Sequence, residues 1–256
     1  MNVAHPNTTA GKAISANGLT RRFDSFVAVD HITFDVAAGE VFGFLGANGA
    51  GKTTAIRMLT GLLSPSDGQA MVGGFDVRSQ TEQVRAHIGY MSQRFSLYDD
   101  LTVRENIRLY GGIYGLDDKA IKERGDAILQ ELAFTPSDKA MVASLPLGWK
   151  QKLAFSVALL HQPAVVFLDE PTGGVDPITR RQFWELIYHA AARGTTVFVT
   201  THYLDEAEYC DRLSIMVDGK IGAIGTPSEL KQQFAVTSLD DVFIRLVRAT
   251  DAKGAA

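Results

Sequence analysis

The first part of the chain alternates between apolar and polar positions. Apolar side chains recur at every second position in two short runs: Val27 and Val29, then Phe34 and Val36. This period is typical of strands with one buried and one exposed face, and Asp24–Ser25 supplies a turn between them. The segment Ala13–Val36 is therefore predicted to form antiparallel strands.

A mainly apolar run, a glycine-rich segment and a helical segment follow in that order. The run Val41–Leu45 predicts a buried strand, and Gly46–Gly51 predicts a loop. Lys52–Leu63 is predicted to be a helix that stops at Ser64–Pro65, since proline does not continue a helix. Two further short strands are predicted at Ala70–Val72 and Ile88–Tyr90.

The middle of the chain, from Thr102 to about Leu160, has a different pattern. Its apolar residues recur at helical spacing: Val103, Ile107, Tyr110 and Tyr114, then Ile121, Ile128, Leu129 and Leu132. Proline interrupts this stretch only at Pro136 and Pro146. The spacing predicts a mostly helical insertion.

Strands and helices alternate again after the insertion. Ala164–Leu168 is continuously apolar, as expected for a parallel strand covered on both faces. Asp176, Pro177 and Gly194 predict the start and end of a helix over Pro177–Arg193. The remaining predicted elements are a strand at Thr195–Thr200, a helix at Leu204–Cys210, and a hairpin of Ser214–Val217 and Ile221–Ile224 around Asp218–Gly219. This order predicts an α/β core with a largely parallel sheet.

Composition excludes several classes of protein. The net charge is −4 over 256 residues and there is no long basic run, which argues against binding DNA or RNA through its phosphates. The single cysteine, Cys210, excludes an intramolecular disulfide framework and is expected to be a small core residue. No apolar stretch approaches the roughly 20 residues of a membrane span, and Met1–Lys12 is expected to be a tail without a signal-peptide core.

The glycine-rich segment carries a phosphate-binding motif. Its residues fit the pattern G-x-x-x-x-G-K-[ST]: Gly46, Ala47, Asn48, Gly49, Ala50, Gly51, Lys52, Thr53 and Thr54. Successive backbone N–H groups and the start of a helix can bind phosphate oxygens. The Lys52 ammonium is expected to reach the β- and γ-phosphates, and the Thr53 hydroxyl to ligate Mg²⁺. Because a predicted strand precedes this motif and a predicted helix follows it, the sequence predicts nucleotide binding.

Four further residues are candidates for ATP hydrolysis. Asp169 and Glu170 end the apolar strand, where a parallel sheet presents ligands, so Asp169 is expected to hold Mg²⁺ and Glu170 to polarise the attacking water. The alternative is that the pair caps the turn before Pro171. His202 could contact the γ-phosphate and Gln93 the metal or water, although taken singly a structural histidine and a solvated glutamine are the commoner roles.

Taken together, these motifs resemble the nucleotide-binding subunit of an ATP-binding-cassette (ABC) transporter over nearly the whole chain. The matching segments are the phosphate loop, the Q-loop at Gln93, a signature-like segment at Leu145–Leu153, the Walker B strand with Glu170, the D-loop Gly174-Val175-Asp176 and the switch His202. Phe23 matches the family's adenine-stacking aromatic, with a core phenylalanine as the alternative. The segments Asp169–Pro177 and Ser238–Phe243 most resemble the ATPases of ABC-2 type exporters, similar to multidrug exporters.

The resemblance implies a fold and a domain division. The expected fold is α/β, a P-loop NTPase core with a mostly parallel sheet, an N-terminal antiparallel β subdomain and an inserted α-helical subdomain. A tail at 1–12 would precede one ABC ATPase domain at 13–235, with a RecA-like core at 13–92 and 161–235 and a helical subdomain at about 93–160. A second tail would occupy 236–256.

The resemblance also implies a mechanism and partners. Two such domains are expected to close on ATP and Mg²⁺, as a homodimer or with a related cassette. Closure would pass to a membrane-spanning permease subunit on the cytoplasmic, inner face of the cell membrane. The permease would sit near the Q-loop, in a groove lined by Phe95, Leu97 and Tyr98. A soluble ABC ATPase acting on ribosomes or DNA is the alternative function, but the chain has one cassette, no charged linker and no heptads.

The signature-like segment departs from the family pattern Leu-Ser-Gly-Gly-Gln. This chain has Leu145, Pro146, Leu147, Gly148 and Trp149 in its place. Pro146 replaces the serine whose hydroxyl would bond the partner's γ-phosphate, and Leu147 replaces the first glycine. Backbone N–H groups remain available at Gly148 and the following helix, so the contact in trans, which also includes Asp176, is expected to be weakened rather than lost.

Overall fold

A computed structural model describes residues 11–93, 97–134 and 136–254, with side chains up to residue 249. The strands are β1 Lys12–Phe23, β2 Phe26–Ala37, β3 Val41–Gly46, β4 Asp67–Val72, β5 Phe75–Asp76, β6 Ile88–Met91, β7 Val165–Asp169, β8 Thr196–Thr201, β9 Arg212–Val217 and β10 Lys220–Gly225. The helices are α1 Lys52–Leu59, α2 Thr81–His87, α3 Val103–Ile113, α4 Asp118–Glu131, α5 Leu147–Ala158, α6 Pro177–Ala192, α7 Leu204–Ala207, α8 Pro227–Gln233 and α9 Leu239–Gly254, with a short 3₁₀ helix at Val142–Ser144.

The N-terminal strands form an antiparallel sheet in the order β2-β1-β4-β5. β1 and β2 meet at Asp24–Ser25, which confirms the turn predicted there. Phe34 of β2 packs its ring 5.8, 5.7 and 6.1 Å from the rings of Phe42, Phe44 and Phe198. This aromatic contact fixes the antiparallel sheet against one face of the core sheet.

The core sheet has the order β10-β9-β3-β8-β7-β6, and its strands run parallel except for the β9–β10 hairpin. Both faces of β7 are covered, because Val165 and Phe167 join one apolar cluster and Val166 and Leu168 join another. Parallel neighbours end at the same edge of a sheet, so the carboxyl ends of β3, β7 and β8 lie together. These ends carry the residues that the sequence singles out.

The region between β6 and β7 is mainly helical, as predicted. It contains α3, α4, the 3₁₀ helix and α5. Buried Val103 and Ile107 of α3 belong to the apolar cluster that also contains Phe155 of α5 and Phe183 of α6. The insertion is therefore packed onto the core through α5 and α6.

Two predicted helices end earlier than the sequence indicates. α1 ends at Leu59 instead of Leu63, because Gly61 takes a positive φ of 69°. At this end the Thr60 amide (2.8 Å) and hydroxyl (2.9 Å) both donate to the Ile56 carbonyl. α7 ends at Ala207 instead of Cys210. By contrast, α6 begins after its N-cap Asp176, and Gly194 with a φ of 94° follows its end, as predicted.

The chain beyond residue 235, which the sequence assigns to a tail, contains α9. Leu239 and Val242 are buried in a cluster with Leu213 and Ile215 of β9, so this helix is part of the packed structure. At the other end, Lys12 already belongs to β1, and the rest of the predicted N-terminal tail up to residue 10 lies outside the described residues. No helix in the described ranges is both long and apolar enough to cross a membrane.

Candidate active site

The phosphate loop joins β3 to α1 at the carboxyl edge of the core sheet. Gly51 must be glycine here, because its φ is 104° and a Cβ would lie 2.4 Å from the Ala28 carbonyl oxygen. The Lys52 side chain is only 4% exposed, and its ammonium donates to the carbonyls of Gly46 (2.8 Å) and Ala47 (3.1 Å). The exposed tip of the loop, Ala47–Gly49, remains accessible to a ligand.

Asp169, the last residue of β7, contacts the first turn of α1. Its carboxylate accepts hydrogen bonds from the hydroxyls of Thr200 (2.7 Å) and Thr53 (3.4 Å). Burial raises the pKa of neighbouring Tyr90 to about 12, and the charge of Asp169 acts in the same direction. A hydroxyl and a carboxylate oxygen are ligands that suit Mg²⁺. No group of three or more His, Cys, Asp or Glu side chains suited to a metal occurs in the described part of the chain.

Glu170 is the residue on which the polar side chains converge. Its carboxylate lies 3.3 Å from the Lys52 ammonium, accepts a 3.0 Å hydrogen bond from the Gln93 amide and lies 3.1 Å from Nδ1 of His202. These residues come from four separate segments of the sequence. The structure thus brings together the phosphate loop, the Q-loop, the end of β7 and the end of β8, as the resemblance implies.

The backbone of Glu170 has an uncommon conformation. Its φ is 50°, in the left-handed region that non-glycine residues seldom occupy. The Glu170 amide donates to both the carbonyl (3.2 Å) and the hydroxyl (3.0 Å) of Thr200, and these bonds hold the turn in place. Strained residues of this kind concentrate at functional sites. The simple capping role considered for this acid pair does not explain why three side chains reach Glu170.

A cavity of about 250 Å³ lies beside Glu170. Gln93, Glu170 and Leu147 all line it, so the signature-like segment borders the same space as the candidate catalytic group. Gln151 of α5 also lines the cavity and donates to the Gly173 carbonyl at 3.0 Å. The signature helix is therefore tied to Gly173, the residue that directly precedes the D-loop of its own chain.

The signature-like segment begins α5 without a side-chain cap. Pro146 is the N-cap residue and has no side-chain acceptor, although its carbonyl accepts hydrogen bonds from the amides of Trp149 (3.0 Å) and Lys150 (3.1 Å). Gly148 lies so close to α6 that a Cβ would be 2.5 Å from the Thr179 methyl carbon. The partly exposed Trp149 packs edge-on against Phe134, with ring centroids 5.0 Å apart. Asp176 itself caps α6 through the amides of Ile178 and Thr179.

Two groups of predicted residues stay apart from the Glu170 cluster. Phe23 is 43% exposed at the end of β1, with the Arg21 guanidinium 4.5 Å from its ring centroid, so it is not a core phenylalanine. In the predicted groove, Leu97 is buried and Tyr98 is half exposed, while Phe95 lies outside the described residues.

The sequence interpretation missed Thr200 as a site residue. Its hydroxyl contacts both the Asp169 carboxylate and the Glu170 amide. A signal was present, because Thr200 and Thr201 are polar residues that directly follow the apolar run Val197–Val199 in a buried strand.

Comparisons with known proteins decide the family. A family model described as "ABC transporter" matches residues 29–173. The chain belongs to the ABC transporter family. It is 33% identical over 245 residues to the linearmycin resistance ATP-binding protein LnrL of Bacillus subtilis (strain 168), covering 92% of this chain and 79% of that protein.

Other members of the ABC transporter family are similar in sequence and in structure. The "Probable multidrug ABC transporter ATP-binding protein YbhF" of Escherichia coli (strain K12) is 45% identical over 249 residues, covering 95% of this chain. This chain spans only 43% of the length of that relative. A solved structure named as the ATP-binding subunit of an ABC transporter superposes with a TM-score of 0.83 at 30% identity, covering 91% of this chain and 99% of that one.

Proposed function

We propose that this chain is an ATP-binding and ATP-hydrolysing subunit that energises an ABC-2 type membrane exporter. The observation that carries the proposal is the convergence of Lys52, Gln93 and His202 on the Glu170 carboxylate, next to the Thr53–Asp169 pair. These are the groups needed to hold a triphosphate, a metal ion and a water molecule at one point. Similarity to LnrL and YbhF, named for drug resistance and multidrug transport, supports export as the direction.

The phosphate loop binds the nucleotide in this proposal. Backbone N–H groups at residues 46–54 and the start of α1 bind phosphate oxygens, and Lys52 exchanges its carbonyl partners for the β- and γ-phosphates. Phe23, exposed at the end of β1, stacks on the adenine. Thr53, Asp169 and Gln93 are the residues that would hold Mg²⁺, which neutralises charge on the phosphate oxygens when bound.

Glu170 acts on the attacking water. Its carboxylate orients the water and accepts a proton as the water oxygen attacks the γ-phosphorus and the bond to the bridging oxygen breaks, so that ADP leaves. His202, beside Glu170, hydrogen-bonds the γ-phosphate and holds it in line. Gln93 connects the site to the helical insertion, because its amide bonds Glu170 while α3 follows in the chain.

The proposed partners are a second cassette and a permease. The signature-like segment and Asp176 lie at the exposed starts of α5 and α6, where a second copy or a related cassette completes the ATP site. Closure then acts on a membrane-spanning ABC-2 type subunit at the cytoplasmic face of the cell membrane. YbhF is named as a multidrug transporter protein and LnrL as a resistance ATP-binding protein, and neither name favours action on ribosomes or DNA.

The first experiment measures the mass of a Glu170→Gln variant by light scattering, with and without Mg-ATP. Glutamine keeps the size of the side chain but is a poor proton acceptor, so ATP should bind and persist. We expect the measured mass to double with Mg-ATP and to be that of a monomer without it. Glu185→Gln on α6, whose partner is Arg181, is the matched control and should hydrolyse ATP normally.

Two other results have defined meanings. A Glu170→Gln monomer that binds ATP would assign closure to a different cassette or to the permease, which would be sought by co-purification. A folded chain that does not bind Mg-ATP would contradict the proposed function altogether.

A further inference from the structure

A third acidic side chain, fully buried, lies beside the site and has no role in the proposed reaction. Glu206 of α7 is 0% exposed, and burial raises the pKa of its carboxyl group. A buried carboxylate is costly unless hydrogen bonds and an opposite charge stabilise it. Its partners therefore show what it holds in place.

Those partners come from the segments that follow β7 and β8. The Thr172 hydroxyl donates to one carboxylate oxygen of Glu206, and the Thr201 hydroxyl donates to the other at 2.7 Å. Thr172 is two residues after Glu170, and Thr201 directly precedes His202. One carboxylate thus joins the backbone that carries Glu170 to the backbone that carries His202.

The backbone of the sheet joins these two segments only as far as Glu170. The last paired residues of β7 and β8 are Asp169 and Thr200, and the Glu170 amide still donates to the Thr200 carbonyl at 3.2 Å. Thr201 pairs with Leu45 of β3, on the side away from β7. The Thr201 hydroxyl also accepts a hydrogen bond from the Tyr203 amide at 3.0 Å, which fixes the chain on both sides of His202. The Glu206 carboxylate therefore adds a second connection beyond the end of the β7–β8 ladder, between Thr172 and Thr201.

A third segment reaches the same carboxylate. Nε of Arg180 on α6 lies 3.3 Å from Glu206, and the Arg180 guanidinium also contacts Asp205 at 3.1 Å and lies 4.4 Å from the Tyr203 ring centroid. α6 begins directly after the D-loop. The positive charge that balances Glu206 therefore comes from the helix that directly follows the D-loop.

We propose that Glu206 is a positioning residue for ATP hydrolysis, which holds Glu170, His202 and the D-loop in register without touching the nucleotide. The inference rests on the proposed function for its kinetic consequence, but not for its structural one. A rigid link of this kind keeps two groups aligned on one γ-phosphate, and misplacement by about 1 Å can reduce a rate by about 100-fold.

The structural test compares Thr201→Val with Thr201→Ser by hydrogen–deuterium exchange. Valine keeps the shape of threonine but removes the hydroxyl, whereas serine keeps the hydroxyl. We expect Thr201→Val to accelerate exchange of the amides of residues 172–175, on the far side of Glu206, and Thr201→Ser to leave them unchanged. Acceleration confined to residues 201–206 would overturn the proposed link.

The kinetic test uses Glu206→Gln, with Glu208→Gln as the matched control. Glu208 is two residues away on the surface, where it pairs with Lys231 at 2.8 Å. We expect Glu206→Gln to lower kcat for Mg-ATP by about tenfold or more and to change the Kd for Mg-ATP by less than about twofold, since the phosphate loop is not part of the link. Glu208→Gln should change neither.

The pattern of results separates this inference from the proposed function. Thr172→Val, Thr201→Val and the double variant should all lower kcat to a similar extent, because either change breaks the same link. Independent, multiplicative effects would overturn the inference, as would an unchanged kcat in a folded Glu206→Gln variant. If the unmodified chain did not hydrolyse ATP, the proposed function would be contradicted instead. The hydrogen–deuterium exchange of the Thr201→Val variant would then still test whether Glu206 links the two segments.

Discussion

At the scale of single residues, Lys52 is a buried cation that needs both hydrogen-bond acceptors and an opposite charge. Its ammonium has contacts with two phosphate-loop carbonyls and with Glu170. We expect Lys52→Met, which keeps an unbranched side chain, to raise the Kd for Mg-ATP at least about 30-fold, corresponding to about 2 kcal/mol. Titration with a fluorescent ATP analogue checks this. Lys119→Met, on the exposed face of α4, is the control and should bind normally.

Single residues differ in how well the sequence predicted them. Lys52, Asp169 and Glu170 follow from motifs whose spacing forces them to one edge of a sheet. Taken singly, Gln93 and His202 were weak candidates for site residues, and the structure places each of them next to the Glu170 carboxylate. Glu206 gave no signal, because an acid in a short helical segment usually faces solvent. Its burial depends on the packing of α6 and α7, which local pattern does not encode.

At the scale of elements, the pattern predicted the buried strands well and the short or late helices poorly. β3, β7 and β8 are buried along their whole length, because both of their faces are covered, and each is built around a short apolar run. α1 was overextended, since its end depends on the left-handed conformation of Gly61. The sequence pattern did not predict the helices α2, α8 and α9. α8 carries a complete capping box at Thr226 and Glu229, so a signal for its start was in the sequence.

A histidine three residues after the end of α5 should make stability depend on pH. The His161 ring stacks on Tyr114 at 3.7 Å, and Nε2 lies 3.1 Å from the Ile88 carbonyl oxygen. Burial lowers the pKa of His161 from 6.5 to about 4, with smaller contributions from the charges of Arg124 and His87. The folded state therefore binds fewer protons than the unfolded state between these two values.

The expected result is a free energy of unfolding that falls as pH drops from 6.5 towards 4. We expect His161→Gln, which keeps a donor near Ile88 but does not titrate, to reduce this loss. Urea unfolding at about pH 7.5 and about pH 5 measures it for both proteins. The exposed His189→Gln on α6 is the control. An equal loss of stability in the His161→Gln variant and the unmodified chain would contradict the assignment.

At the scale of the whole molecule, the structure places the unusual signature-like segment next to both the D-loop and the Glu170 cavity. Leu147 is 37% exposed and lies close to Gly174, since a Cβ on Gly174 would be 3.4 Å from its side chain. Pro146 offers no hydroxyl to a partner's phosphate. In the proposed dimer this face meets the ATP of the second cassette, so its chemistry sets how tightly two cassettes close.

Replacing Pro146 by serine and Leu147 by glycine should therefore tighten closure. A hydroxyl donated to a charged phosphate contributes about 1.5–3 kcal/mol, so we expect the concentration for half-maximal dimerisation with Mg-ATP to fall at least about tenfold. The measurement is light scattering over a dilution series in the Glu170→Gln background. Leu147→Gly alone is the control for the loss of the apolar side chain and for the glycine in the first turn of α5.

Serine at the N-cap position would also stabilise α5 by about 0.5–2 kcal/mol in the monomer, since Pro146 provides no side-chain cap. Thermal unfolding of the nucleotide-free variant detects that effect on its own. Tighter dimerisation that requires Mg-ATP would assign the gain to the phosphate contact. A higher melting temperature with unchanged dimerisation would mean that residues 146 and 147 act only within their own chain, and the proposed trans contact would then have to come from Gly148 and the N–H groups at the start of α5.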